Sequence, residues 1–231
     1  MFKIRKLEAL RRFYEIPRDN NILVLFFDFS AIAVGYKDKN ILFDIADILG
    51  EREIDELKNL YAVFYTHGHY DHFNLKSAIS IFNKTNAYII ADPSVYVRLY
   101  GKIPSNKLIK AEGTVQAGDL KIKAFKGKHV GPITLYLVNL NGLLIFHGGD
   151  SDYIPLRGEK AQVAIVPVGD PSPTASPEAA LKMVKDLDAE VAIPIHGSSS
   201  QMLRFKDLIQ RSMLSTKVYI AKQLEPLSIK L

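Results

Sequence analysis

The apolar residues of this chain fall into short runs of two kinds. Some alternate with polar residues or fill about four to eight consecutive positions, as strands do, and others return every three to four residues, as helices do. On this pattern strands are expected at 22–27, 31–36, 41–45, 61–65, 87–91, 120–126, 133–140, 143–147, 162–168, 190–195, 217–221 and 227–231. Helices are expected near 2–14, 52–59, 74–83, 93–100, 177–187 and 200–213. Several boundaries have a local cause. Asp92-Pro93 and Ser176-Pro177-Glu178 each place a side-chain cap before a proline in the first helical turn. Asn141-Gly142 joins two alternating runs as a type I′ hairpin turn. Strands cluster in both halves and alternate with helices, which predicts a mixed α/β protein with two sheets packed face to face and helices outside. The longest apolar run, Ile22–Val34, is broken by Asp28 and reads as two strands, short of a membrane span.

Composition narrows the class. At 231 residues and 48% hydrophobic the chain can bury one sizeable core, so residues 1–231 are expected to form one domain with 1–20 as a helical extension. Cysteine is absent, and Met1–Asn20 carries charge around each apolar residue rather than a secretory apolar core, so a cytoplasmic location is expected. In that extension Lys3, Arg5, Lys6, Arg11 and Arg12 interleave with Phe2, Ile4, Leu7, Leu10 and Phe13. The expectation is a helix docked by its apolar side, at a subunit interface if the protein is a homo-oligomer. The net charge of +5 favours anionic partners. Lys121, Lys123, Lys126 and Lys128, however, read as the solvent face of an edge strand, which favours steering of a small anion over nucleic-acid binding. The loops at 101–118, 151–160 and 169–176 carry no recognisable substrate code.

The chemistry concentrates in His67-Gly68-His69-Tyr70-Asp71-His72, which holds three of the six histidines. His67 and His69 leave the strand at 61–65 two residues apart, so their rings can point to one side and chelate one ion. Asp71 and His72 follow where the chain turns toward the helix near Asn74, so they can hold a second, neighbouring ion. Imidazole and carboxylate donors suit zinc ahead of manganese or iron, whereas calcium would want oxygen alone. A closed zinc staple is dominated by cysteine, which this chain lacks. Three more donors end apolar runs: His129 after 120–126, Asp150 after 143–147 with Gly148 and Gly149 before it, and His196 after Val191–Ile195. His147, the remaining histidine, reads as a packing residue or a support for a ligand. Gly197–Ser200 reads equally as a helix cap or as backbone amides that could hold an anion.

This ordered set resembles the metallo-β-lactamase-fold hydrolases over most of the chain. The resemblance implies an α/β protein with a four-layer αββα sandwich. It further implies that His67, His69 and His129 bind a first divalent metal, that Asp71, His72 and His196 bind a second, and that Asp150 bridges both. Asp44, in Ile41-Leu-Phe-Asp, would orient the ligands from behind. Pro194-Ile-His196 and Pro177–Leu181 are similar to the small branch related to ascorbate-6-phosphate lactonase. Phe27-Asp28-Phe29-Ser30 departs from the pattern, since many relatives show a Gly-His pair there. The activity implied is that of a dinuclear metal-dependent hydrolase. Two ions about 3.5–4 Å apart lower the pKa of a bridging water, and the metal-bound hydroxide attacks a small anionic ester, a phosphodiester or a lactone. Asp71 would orient that hydroxide. The alternative reading is a metal-binding regulatory or binding protein of the same fold without turnover.

Overall fold

The computed structural model describes residues 2–170 and 174–231. Side chains are described from Arg5 onward, so Phe2, Lys3 and Ile4 of the basic N-terminal pattern, and 171–173 of the 169–176 loop, lie outside the described side chains. In chain order the elements are α1 (Phe2–Glu15), β1 (Asn21–Asp28), β2 (Ala31–Tyr36), β3 (Lys39–Phe43), α2 (Glu51–Asp55), β4 (Leu60–Tyr65), α3 (Leu75–Thr85), β5 (Tyr88–Ala91), α4 (Pro93–Leu99), β6 (Leu108–Lys110) and β7 (Thr114–Ala117). They continue with β8 (Leu120–Lys126), β9 (Thr134–Leu140), β10 (Leu143–His147), β11 (Val163–Pro167), α5 (Pro177–Asp186), β12 (Val191–Ile195), α6 (Ser199–Arg211), β13 (Lys217–Val218) and β14 (Leu227–Lys230).

The strands form two seven-stranded sheets, ordered β14-β1-β2-β3-β4-β5-β6 and β13-β12-β11-β10-β9-β8-β7. Side-chain parity builds the layers. In β1 the odd residues Leu23, Leu25 and Phe27 bury against Leu10 and Phe13 of α1, Ile54 of α2, Ala78 and Ile81 of α3, and Val95 and Leu99 of α4. The even residues Ile22 and Val24 face the second sheet, where they join Val138, Ile145, Ile165 and Ile193. The second sheet repeats the division, with Phe146, Ala164, Val166 and Ala192 packed on Met183 and Val184 of α5 and Phe205 and Ile209 of α6. Strands buried on both faces, such as β11 and β12, are apolar throughout because neither face meets water. The result is the expected αββα order, with helices covering both outer faces.

Local signals held where they had a chemical cause. Asp92 accepts a hydrogen bond from the Ser94 amide and Ser176 from that of Ala179, each before its proline. Asn141 and Gly142 both take positive φ, 52° and 92°, as a type I′ turn requires. Other expectations are corrected. The stretch 101–118 holds β6 and β7, too short for periodicity to reveal. Because β7 pairs with β8, the lysine-bearing strand is not an edge. The helix expected at 52–59 spans only Glu51–Asp55, and the chain then takes a positive φ at Asn59 before entering β4. The strand expected at 217–221 is paired only over Lys217–Val218. Among the described side chains of α1, Ala9, Leu10 and Phe13 pack on this chain's own first sheet.

Topology also places the site. β3 and β4 are parallel, while β8 and β10 each lie antiparallel to β9, and β10, β11 and β12 are parallel. Asp44, His67, His129, Asp150 and His196 therefore all follow carboxyl ends of strands that run alike within their sheet. Ligands of α/β sheets gather outside such ends. No described helix is long and apolar enough to cross a membrane.

Candidate metal centre

Asp44 organises the floor of the site. It takes a left-handed φ of 48° as β3 ends, and its amide is tied to the Phe64 carbonyl at 2.9 Å. One carboxylate oxygen accepts from the Thr66 amide at 2.8 Å, and the other accepts from the Thr66 hydroxyl at 2.7 Å and lies 3.0 Å from His72 Nδ1. Burial works against a charged carboxylate here, but the His72 ring beside it holds the Asp44 pKa below its ordinary value. Thr66 spends its hydroxyl proton on Asp44, so its oxygen accepts from His67 Nδ1, 3.0 Å away. Both His67 and His72 thereby turn a bare Nε2 lone pair away from the floor.

These lone pairs meet further donors. His67 Nε2 lies 3.0 Å from His69 Nδ1, and His129 Nε2 lies 3.3 Å from the same atom. His72 Nε2 lies 3.0 Å from Asp150 Oδ2 and 3.5 Å from Asp71 Oδ2, and His196 Nε2 lies 3.1 Å from Asp150 Oδ2. Among the described residues, His67, His69 and His129 form one group able to hold a metal ion, and Asp71, His72, Asp150 and His196 form another. Within each group the donor atoms lie within 4.8 Å of one another, and the His67 and His72 rings, 4.0 Å apart at their centroids, join the two groups.

The donor set fits a cation. His72 Nε2 is buried without a hydrogen-bond partner, and with its Nδ1 proton committed to Asp44 it presents a lone pair to two carboxylate oxygens. That contact is repulsive unless a proton or a metal ion lies between them. Burial opposes charge on His72, yet Asp44, Asp150 and Asp71 push its pKa up to about 12. Burial likewise opposes the Asp150 carboxylate, but His196 and His72 hold its pKa far below the ordinary range. His67 has no facing carboxylate as close, and burial with His72 beside it drives its pKa down to about 3, leaving it neutral as a ligand requires. His67, His72 and Asp150 are buried while His69 is exposed, so the site opens to solvent on one side, as catalytic metal sites do.

The backbone is shaped to allow this. A Cβ at Gly149 would stand 3.0 Å from Thr66 Cβ, and one at Gly169 would overlap the His196 carbonyl. His196 takes a φ of 48°, with its amide bonded to the Phe29 carbonyl at 3.1 Å. Arg98 of α4 fixes the histidine loop by donating to the Gly68 carbonyl at 3.1 Å while lying over the Phe73 ring. Ser198 caps α6 reciprocally with Gln201. The Gly197–Ser200 segment is thus built as a cap.

Two supporting residues escaped the sequence reading. Ser30 is fully buried and donates its hydroxyl to Asp150 Oδ1 at 2.8 Å, leaving Oδ2 to face His72 and His196. Thr66 links Asp44 to His67. Neither residue type signals such a role alone; only proximity to the ends of other strands reveals it.

His147 is the packing residue. Its ring stacks on Phe43 with centroids 4.4 Å apart, its Nδ1 accepts from the Gly149 amide at 3.1 Å, and its Nε2 lies 3.3 Å from the Ser30 carbonyl. Burial lowers its pKa from 6.5 to about 4. Between those values the unfolded chain binds a proton that the folded chain refuses, so this residue's contribution to stability is lost as pH falls from about 6.5 toward 4. Metal-free His147→Gln should therefore lose less stability than the parent between pH 7 and 4.5, by roughly 2 kcal/mol. Urea unfolding at both pH values checks this, and equal losses would refute a neutral buried imidazole.

Residues 40–197 match the family described as the Beta-lactamase superfamily domain. A UPF0173 metal-dependent hydrolase of Thermoplasma volcanium is 27% identical over 215 residues, covering 83% of this chain and 92% of that protein. One from Enterococcus faecalis is 29% identical over 186 residues, covering 72% of this chain and 82% of the relative. Among solved structures, Igni18, a metallo hydrolase from Ignicoccus hospitalis, superposes with a TM-score of 0.75 at 22% identity, over 91% of this chain and 99% of its own. The metallo-β-lactamase fold protein YhfI from Bacillus subtilis superposes with a TM-score of 0.66 at 16% identity, over 91% of this chain and 100% of its own. With the family match spanning most of both sheets and every donor of the site, this chain belongs to the beta-lactamase superfamily, in which its relatives are named metal-dependent hydrolases.

Proposed function

We propose that this protein is a dinuclear metal-dependent hydrolase of small esters, either phosphodiesters or lactones. His67, His69 and His129 would hold one divalent ion, and Asp71, His72, Asp150 and His196 the other, with Asp150 able to reach both. Zinc suits these donors best, ahead of manganese and iron. The observation that carries the proposal is the buried His72 Nε2 set 3.0 Å from Asp150 and 3.5 Å from Asp71, a contact that needs a proton or a cation, beside a separate three-histidine group. Bound metal would supply Lewis acidity, lowering the pKa of water and polarising the scissile group.

The chain's own residues do the rest. Asp44 and Thr66 hold the His67 and His72 rings in one tautomer, so neither must reorganise during turnover. Ser30 fixes one oxygen of Asp150 and so sets the direction of the other. Asp71 is partly exposed and lies at the edge of its group, placed to accept a proton from a water entering from solvent. The net charge of +5 supports long-range attraction of anions, although Lys123 and Lys128 are engaged by Glu159 and Asp152.

Elemental analysis after metal loading and desalting should give about two divalent ions per chain. A value near one would leave the three-histidine site alone, and none would end the proposal. Asp150→Asn should weaken the second ion and cut hydrolysis at least about 10-fold with the circular dichroism spectrum unchanged. An Asn variant with full metal content and activity would make Asp150 a turn residue. Metal binding with no turnover across phosphodiester and lactone panels would instead favour a binding or regulatory protein.

A further inference from the structure

A cleft of about 540 Å³, within the range of small-ligand pockets, opens over the C-terminal half of α5. It is lined by Tyr153, Arg157 and Gly158 on one side and by Lys182, Lys185 and Asp186 of α5 on the other, and includes none of the metal-binding candidates. Asp186 is committed to the fold. Its Oδ2 accepts from the Tyr153 hydroxyl at 2.8 Å and from the Leu156 amide at 3.0 Å, which ties the turn carrying Arg157 to the helix. The Glu159 amide closes that turn on the Leu156 carbonyl at 3.1 Å. Gly158 takes a φ of 91° there, although a Cβ would meet nothing within 4 Å, so the backbone conformation rather than space calls for glycine.

The cations of the cleft are not committed in this way. Arg157 Nε stands 3.7 Å from Asp186 Oδ1, beyond hydrogen-bond reach, and the guanidinium makes no hydrogen bond among the described residues. Lys182 and Lys185 are exposed, share one face of α5 at a spacing of three, and enter no ion pair among the described residues. Asp152, whose carboxylate feels the Lys182 charge, is bonded to Lys128 at 2.6 Å. Three cations against one carboxylate leave a surplus of two positive charges in the lining. The dipole of α5 accounts for Lys185 in its last turn, but not for Lys182 before that turn or for Arg157 on another element. Like charges set side by side repel, and an anion between them relieves the repulsion.

We propose that this cleft is a binding site for a phosphate dianion, separate from the metal centre, with Arg157, Lys182 and Lys185 as its donors. The surplus of two positive charges equals the charge to be held. A guanidinium offers paired N–H donors that match two phosphate oxygens, and the ammonium groups add point charges free to turn toward the others. Asp186 acts as the positioning residue, because it fixes the Arg157 turn against α5 before any ligand arrives. The volume exceeds what one tetrahedral anion fills, and the Tyr153 ring, with Lys182 Nζ 5.7 Å from its centroid, gives an organic substituent a wall to lie against. The site stands whether or not the metal centre hydrolyses esters.

Titration of the zinc-loaded full-length protein with inorganic phosphate and with phenylphosphonate, followed by amide NMR, reads this cleft separately from the metal centre. Saturable shifts are expected at Tyr153, Arg157, Gly158, Lys182 and Lys185, with affinity falling as salt rises. Combining Arg157→Gln, Lys182→Gln and Lys185→Gln should weaken binding at these amides by at least about 10-fold while the metal content stays that of the parent. Lys206→Gln, on α6 outside the cleft, should bind as the parent does. Tighter binding of phenylphosphonate assigns the site to phosphorylated metabolites, and equal or weaker binding assigns it to free phosphate. Shifts confined to residues 67–72, equal shifts with chloride at matched ionic strength, or unchanged affinity in the triple variant would each overturn the proposal and leave the hydrolase reading untouched.

Discussion

Asp71→Ala should lower turnover by several orders of magnitude, whereas Ser198→Ala, Ser199→Ala and Ser200→Ala should each keep most of it. Asp71 combines two roles in the proposal, as a donor in the second group and as the partly exposed carboxylate nearest to entering water. The serines have other employment. Ser198 accepts from the Gln201 amide as a helix cap, and its hydroxyl lies 2.9 Å from Ser200 Oγ rather than beside a histidine base. Loss of the Ser198 cap should cost about 1 kcal/mol of stability and little turnover. A covalent route through serine would reverse the ranking and give a burst of first product in rapid kinetics. Such a burst, abolished by one serine substitution, would overturn a direct attack by water.

Removal of metal should abolish turnover, and zinc or manganese should restore it. The same treatment should lower the midpoint of thermal unfolding. An ion that binds the folded chain alone stabilises it by about 4 kcal/mol at a thousand times its dissociation constant. The direction follows from the site, where Asp71, Asp150 and the bare His72 Nε2 face one another and are relieved by a cation. Turnover that persists after elemental analysis confirms the loss of metal would contradict the proposed chemistry.

The hexapeptide could be read early because its spacing is local. Alternation places His67 and His69 together whatever the rest of the chain does, and the turn at Asp71-His72 is tied by the His72 and Phe73 amides to the His69 carbonyl. His129, Asp150 and His196 were found by another regularity, since each lies just beyond an apolar run and ends of like-directed strands share one edge. Ser30 carried no such mark. It lies in a hairpin turn of the first sheet, and its partner Asp150 comes 120 positions later in the second. The N-terminal helix shows the opposite failure. Its interleaved charges and apolar residues were legible, but what Ala9, Leu10 and Phe13 would meet was not, and the answer is the chain's own first sheet.

What the sequence by itself determined is therefore the local chemistry: strand and helix periods, the caps at Asp92 and Ser176, the turn at Asn141-Gly142, and the identity of the seven metal-binding candidates, counted as three plus four. Only the tertiary structure decided which ring nitrogen His67 and His72 turn toward the other donors. It also decided that Ser30, from the other sheet, fixes one oxygen of Asp150. The reason is physical. A residue's period and propensity act over a few neighbours along the chain, whereas tautomer, ionisation and pocket lining are set by groups brought within about 3–4 Å through the packing of two sheets.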